Sequence, residues 1–507
     1  MKKLLGDVDA TIFGGAAVIY LILFIFILSA PSIAEKVITS LLNFALNQLG
    51  WIYLLSFSLI FIFLIILAFS RFGKIKLGKP EDKPEYSMMS WISMLFCAGL
   101  GIGLVFFGTY EPVSHYYHSP FADDRSPEAA VMALRTTFFH WGFHPWAVYS
   151  ATGLAIAYFH HRRGLPNRIS STFAPMLGHD GLNGKFAKLV DVFAIIATLC
   201  GVSAAIGFAG SQFAAGLTSQ YGFQKSDTLV SGVIILICGV ATVSALKGVT
   251  KGIKVLSDSN MHMVLAFMIF MIVVGPTRYQ FNIFFESFGE YINDFPRISF
   301  FLDANGTVED KLGYNWVGSW SVMYFAWWAS YAPFVGGFLA TISRGRTIRE
   351  FVVACVTVPS ILCLIWFTCF GGSAIRLDMT GVISTGAEMA SNSPEALFLF
   401  LKALPFSSIS IFAAMVLIFI MITTTVNSAT YAVGTISSGA KSVVPSLGLR
   451  GFWGMFMVIN ALLFLWVGGL ETLRNTSILG ALPFMIILLM MFANMFSSLI
   501  RDESDAA

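Results

Sequence analysis

Residues 98–111 read Ala-Gly-Leu-Gly-Ile-Gly-Leu-Val-Phe-Phe-Gly-Thr-Tyr-Glu, with glycines at 99, 101 and 103 inside a long apolar run. Glycine loosens a helix. Inside a bilayer, unwound backbone survives only where protein or a watery cavity satisfies its N–H and C=O groups. Glycines spaced this way can also serve close helix packing, so the rest of the chain must decide. A second Gly/Pro stretch, Tyr331-Ala-Pro-Phe-Val-Gly-Gly337, falls in a later apolar segment. Two interruptions at corresponding positions of two halves point to the central site of a secondary transporter. Broken helices are therefore expected at Gly99, Gly101 and Gly103 and again at 331–337.

Working outward, 56% of the 507 residues are hydrophobic and only 12% are charged. The mean hydropathy of +0.77 excludes an ordinary soluble protein. Apolar runs recur at 10–30, 50–70, 90–112, 138–160, 187–218, 228–247, 259–276, 316–342, 351–372, 407–436, 451–469 and 477–499. Each is long enough for a bilayer core of roughly 30 Å, which predicts an all-α polytopic membrane protein with about twelve transmembrane helices. The first run has no cleavable-signal pattern. An even number of spans puts both termini on one side. Placing them in the cytoplasm puts most of the 31 Lys and Arg inside, in clusters at Arg71–Lys83, Arg162–Lys188, Lys247–Lys254 and Arg344–Arg349. The net charge of +3 is thus a topology signal and implies no nucleic acid partner. All six cysteines fall in predicted spans, without metal-type spacing, and read as buried small side chains.

Residues 277–315 interrupt the pattern. Phe284, Phe285, Phe288, Tyr291 and Phe295 recur at helical spacing among Glu286, Glu290 and Asp294, which predicts an amphipathic helix along the outer interface. A shorter amphipathic stretch covers Ser393–Leu404. The organisation that follows is 1–85 with two extra helices, 86–276 with a first five-helix repeat, 277–315 as the interfacial segment, 316–500 with a second five-helix repeat, and 501–507 as a short polar tail.

Two aromatic stretches indicate what the centre binds. One holds Trp141, Trp146 and Tyr149; the other holds Trp327, Trp328 and Tyr331. Indole and phenol groups deep in an apolar run need partners for their N–H and O–H. Clustered ring faces suit a cation that donates no hydrogen bond, such as a quaternary ammonium. Trp146 and Tyr149 share a helix face, as do Trp328 and Tyr331, while Trp327 points about 100° from Trp328. An interfacial belt accounts better for Trp51, Trp91 and Trp316. Glu111, His140, His144 and Asp191 read as interfacial anchors or satisfied polar groups. Sodium, a hard cation, favours oxygen ligands. Carbonyls around Cys97–Gly101 and hydroxyls of Ile422-Thr-Thr-Thr425 offer them, although such hydroxyls often bond back to the preceding turn.

The segments 98–111, 139–149 (FHWGFHPWAVY), 319–328 and 338–350 (FLATISRGRTIRE) resemble the betaine/carnitine/choline transporter family, across about residues 85–495. The resemblance implies a five-plus-five inverted repeat of the leucine-transporter type after two extra helices, alternating access and, commonly, a homotrimer. It implies an aromatic box of Trp141, Trp146, Tyr149 and Trp328, with Trp327 and Tyr331 along the inward path. It implies one sodium site from carbonyls of Cys97, Leu100 and Met421 with the hydroxyls of Thr424 and Thr425, and a second from Thr198 and Phe334.

Some positions depart from the family pattern. Ser321 and Phe325 stand for Thr and Trp, altering the inner aromatic path; Val202 stands for a second-site Thr, and Asn427 for an Asp. The three glycines, and Asn260 where exchangers carry Arg, place the chain with the sodium-coupled branch. No long basic C-terminal helix follows the last span, which speaks against tail-mediated osmotic activation. The expectation is a cell-membrane symporter of a trimethylammonium solute, above all glycine betaine, with sodium as coupling ion and no other cofactor. The alternative is a sodium-independent exchanger or carrier for carnitine, choline or dimethylsulfoniopropionate. A channel would need a polar filter in a symmetric assembly, and an enzyme would need a nucleophile–base pair or metal ligands.

Overall fold

The computed structural model describes residues 5–99, 101–247, 249–439 and 444–504, and within these the side chains of all but 97, 98, 245–247, 249–257 and 502–504. The described chain is nearly all helical. The first passes are α1 (Ala10–Ser29) and α2 (Pro31–Phe69), followed by α3 (Met88–Gly99) and α4 (Gly103–Tyr117). Next come α5 (Pro127–Trp141), α6 (Phe143–Ala157), α7 (Lys185–Tyr221), α8 (Asp227–Lys247), α9 (Val249–Val274) and α10 (Thr277–Asn293). The last are α11 (Met323–Thr341), α12 (Ile348–Phe367), α13 (Ser407–Ser437) and α14 (Leu447–Ser504). Among the described residues, seven helices are each long and apolar enough to cross a membrane, or eight if the bent α9–α10 pair is one span. Two of the expected passes, 451–469 and 477–499, both lie within α14. It breaks at Gly468 and Gly469, the latter at φ 66°, where only glycine is unstrained.

Local chemistry sets these boundaries. Asp9 caps α1 by accepting the amide N–H of Thr11 and Ile12. Pro31 then opens α2, where a missing N–H costs nothing. Gly142 separates α5 from α6; a Cβ there would lie 2.4 Å from the Phe138 carbonyl oxygen. α9 and α10 meet at 113° across Gly275–Pro276. α10 turns Gln280, Ile283, Ser287 and Tyr291 to the protein and leaves Phe281, Phe285 and Ile292 exposed, an apolar face suited to a bilayer interface.

α7 runs through the middle of the molecule and is buried over most of its length. Its glycines allow close approach. A Cβ on Gly207 would lie 2.3 Å from Leu473, and one on Gly210 2.3 Å from Ile234. α1 is peripheral and exposes Val18, Leu21, Ile22, Ile25 and Leu28. The Arg-rich segment after α11 is latched to the loop after α2. Leu77 donates to the Arg346 carbonyl, Gly345 donates to that of Leu77, and Ile348 donates to that of Ile75. Arg344 pairs with Asp82 at 3.1 Å and holds that carboxyl below its usual range.

One expectation fails. α11 does not break at 331–337; it runs unbroken through Pro333 and both glycines, and its irregular part is a π-helical turn at Gly318–Val322. Gly336 instead serves packing: a Cβ there would lie 2.5 Å from Thr152 Cγ2 and 2.9 Å from the Gly153 amide nitrogen. Here Gly336 brings α11 onto α6, as the packing reading of such stretches has it.

Candidate functional site

The central site forms where α3 stops at Gly99 and α4 restarts at Gly103. Each glycine of this break faces a different pair of side chains. A Cβ on Gly99 would lie 2.5 Å from Trp146 and 3.3 Å from Tyr149. One on Gly101 would lie 3.3 Å from the Thr425 hydroxyl oxygen and 3.9 Å from that of Tyr331. One on Gly103 would lie 2.7 Å from Trp141 and 2.9 Å from Trp327. Approaches under 3 Å leave no room for a side chain, so Gly99 and Gly103 are needed as much for the rings as for the break.

The rings also meet each other. Trp141 packs edge-on to Trp328, with centroids 4.8 Å apart, and Trp146 packs edge-on to Tyr149 at 5.6 Å. Tyr149 reaches Trp328 at 6.3 Å, Trp327 stacks on Trp328 at 5.0 Å, and Tyr331 meets Trp327 at 5.8 Å. All six are buried. Three of the four indole N–H groups are tied to fixed acceptors. Trp328 donates to the His140 carbonyl (3.0 Å), Trp327 to that of Gly201 (3.4 Å), and Trp141 to Glu111 Oε2 (2.6 Å). Among the described residues, the hydroxyls of Tyr149 and Tyr331 have no hydrogen-bond partner. A buried hydroxyl left so costs roughly 1–3 kcal/mol, which a ligand or water would recover.

A cavity of about 160 Å³ lies among the basic-side ends of the helices, and Pro333, two residues from Tyr331, is on its wall. Arg168, Asn167, Thr341, Tyr431 and Pro333 are among its lining residues. On the opposite side the box is roofed by rings: Tyr110 stacks on Trp320 at 5.8 Å, and Trp320 lies 4.4 Å from His115.

The sodium-site residues are placed as follows. Cys97 ends up in the last turn of α3, and Leu100 lies outside the described residues. On α13 the Thr424 hydroxyl donates to the Ile420 carbonyl (2.8 Å) and that of Thr425 to the Met421 carbonyl (3.0 Å). Both are therefore back-bonded, with oxygen lone pairs free to accept. Of the two, Thr425 faces the break. Thr198 donates to the Ala194 carbonyl, and the Phe334 ring rests on Tyr331 at 4.9 Å. α7 meets α11 one turn away, where a Cβ on Gly201 would strike Ser330 and Tyr331.

The departures from the family pattern fall away from the path. Phe325 stacks on Phe57 of α2 at 4.3 Å, and Ser321 Oγ bonds His140 Nε2 at 2.9 Å. Phe325 thus packs against the extra helix α2, and Ser321 joins the polar contacts of His140. Glu111, His140 and His144 are fully buried and are not interfacial anchors. Glu111 Oε2 accepts from Trp141 and from Tyr324 (2.5 Å), while Oε1 pairs with His140 Nδ1 at 2.7 Å and lies 3.5 Å from His115. Sequence reasoning missed this network. Its one sequence signal is that Glu111 and His115 sit four apart on one helix face. Glu111, His115 and His140 are donor types that zinc accepts. Yet His140 already spends both ring nitrogens on Glu111 and Ser321, so a metal would have to displace existing bonds.

A multi-pass helical bundle with a broken helix at its centre and an aromatic cage around the break is the architecture of a membrane carrier. Residues 11–504 match the model of the BCCT, betaine/carnitine/choline family transporters, and the chain belongs to that family. It is similar to the glycine betaine transporter OpuD of Bacillus subtilis, 41% identical over 94% of this chain and 91% of the relative. It is similar to a probable glycine betaine transporter of Desulfitobacterium hafniense, 36% identical over 93% and 94%. It also resembles the ectoine/hydroxyectoine transporter of Virgibacillus pantothenticus, 36% identical over 94% and 92%. The protein is therefore a transporter and not an enzyme.

Proposed function

We propose that the protein is a sodium-coupled symporter of a betaine-type solute, foremost glycine betaine, working by alternating access in the cell membrane. The observation that carries this reading is the convergence of Trp146–Tyr149, Thr425–Tyr331 and Trp141–Trp327 on Gly99, Gly101 and Gly103. A trimethylammonium head has no N–H to donate, so ring faces bind it, at roughly 0.5–2 kcal/mol per desolvated ring. The unpartnered hydroxyls of Tyr149 and Tyr331 suit the carboxylate of a zwitterion. They take over the role that a second broken helix in α11 would have played.

Sodium enters as co-substrate, between the break and the Thr424–Thr425 turn of α13. By tying those two elements together it favours the substrate-competent state, which is coupling by differential affinity. A second ion at Thr198 and Phe334 belongs to the same reading. So do cytoplasmic termini, which follow from the basic segments, and a homotrimer. The cavity on the basic side then makes this an inward-facing arrangement.

The test is uptake of radiolabelled glycine betaine into proteoliposomes, with and without an inward sodium gradient. Concentrative, sodium-dependent uptake supports symport. Uptake indifferent to sodium but accelerated by solute loaded inside overturns it in favour of exchange.

A further inference from the structure

We infer that Glu111 is the positioning residue of the aromatic box, acting through Trp141 to hold the ring in its cation-binding pose. The inference rests on the proposed function, because it assigns the device that prepares that same site.

Three geometric facts support it. The carboxylate accepts the Trp141 indole N–H at 2.6 Å and the Tyr324 hydroxyl at 2.5 Å on one oxygen, and pairs with His140 Nδ1 at 2.7 Å on the other. Glu111 is fully buried, so these bonds are made without competition from water and are worth more than exposed ones. Finally, His140 and Trp141 are neighbours, and the His140 carbonyl accepts the Trp328 indole N–H at 3.0 Å. One carboxylate thus fixes the end of α5, and that end fixes both indoles of the Trp141–Trp328 pair.

On Oε2 the group accepts from both Trp141 and Tyr324, while the direction of the Oε1–His140 Nδ1 bond follows the imidazole tautomer. Glutamine at this position would offer one accepting oxygen and turn an NH2 toward a donor. Where that NH2 stands in place of Oε2, the indole N–H and the tyrosine hydroxyl both lose their acceptor, and the ring is free to swing. Ring pose matters because cation–π attraction needs the cation over the ring face within about 6 Å of its centre.

The test is a double-mutant cycle on uptake kinetics with Glu111→Gln, Trp141→Phe and the pair. Phenylalanine keeps a ring face but has no N–H for Glu111 to hold. Glu111→Gln is expected to raise KM for glycine betaine about tenfold, with Vmax changed less than threefold. In the Trp141→Phe background it is expected to change KM less than threefold. Such non-additivity means the two act as one unit. Equal KM changes in both backgrounds, or a lowered Vmax with KM intact, would overturn the inference. If Glu111→Gln does not fold, Glu111→Asp runs the same cycle, since it keeps the charge but withdraws the oxygens by one methylene. The outcome is separable from that of the proposed function: if the wild type neither binds nor carries an onium solute, the function reading fails before the cycle is run.

Discussion

At the residue scale, the three glycines of the break are not equivalent, and the spacing alone does not say so. Gly99 and Gly103 have rings where a Cβ would stand, whereas Gly101 meets the hydroxyls of Thr425 and Tyr331 at 3.3 and 3.9 Å. Gly99→Ala and Gly103→Ala are therefore predicted to cost at least tenfold in transport efficiency, and Gly101→Ala clearly less; uptake kinetics on the three variants check the order. The tyrosine hydroxyls give a second prediction. Removing the acceptor's partner costs roughly 1–3 kcal/mol, so Tyr331→Phe is predicted to weaken glycine betaine about tenfold. It should leave choline, which has no carboxylate, within twofold; competition assays with both solutes decide. The clustered rings stand out in the sequence because Trp and Tyr lie deep in apolar runs. The Glu111 network does not, because Glu111 and Tyr324 lie 213 residues apart and only the fold brings them together.

At the scale of elements, sequence reading succeeded where composition is one-dimensional and failed where two helices must meet. Apolar length placed nearly every pass, and the Phe periodicity placed α10. The break expected in α11 is absent because Pro333, Gly336 and Gly337 look the same in sequence whether they unwind a helix or pack one. Structure separates the two glycines. A Cβ on Gly336 would strike α6, while Gly337 has nothing within 4 Å. Gly336→Ala is predicted to lower thermal stability by several degrees and Gly337→Ala to leave it unchanged, as a melting measurement on purified protein would read. The same logic explains the Arg-rich turn, where Gly345 sits at φ 81° with the Lys83 carbonyl 2.5 Å from a would-be Cβ. That latch ties the extra helix α2 to the loop between α11 and α12, a link that local sequence does not disclose.

At the scale of the whole molecule, access is asymmetric. A cavity beside Arg168 and Tyr431 opens at the basic end of α11, while Trp320, Tyr110 and His115 pack together at its other end. Alternating access requires this arrangement to exchange with its opposite. Thr435→Cys, on the cavity wall, is predicted to react with a membrane-impermeant thiol reagent applied from the basic side, and Ser321→Cys, under the roof, is not. Sodium with substrate should change the Thr435→Cys rate; equal labelling of both positions would contradict an inward-facing resting state.

The central claim is that the rings around the glycine break bind the onium head. Its most direct measurement is equilibrium titration of the purified protein with glycine betaine in sodium, followed by intrinsic tryptophan fluorescence, for wild type and Trp328→Leu. A saturable change is expected in the wild type and at least a tenfold weaker one in Trp328→Leu. Superimposable titrations of the two proteins would contradict it.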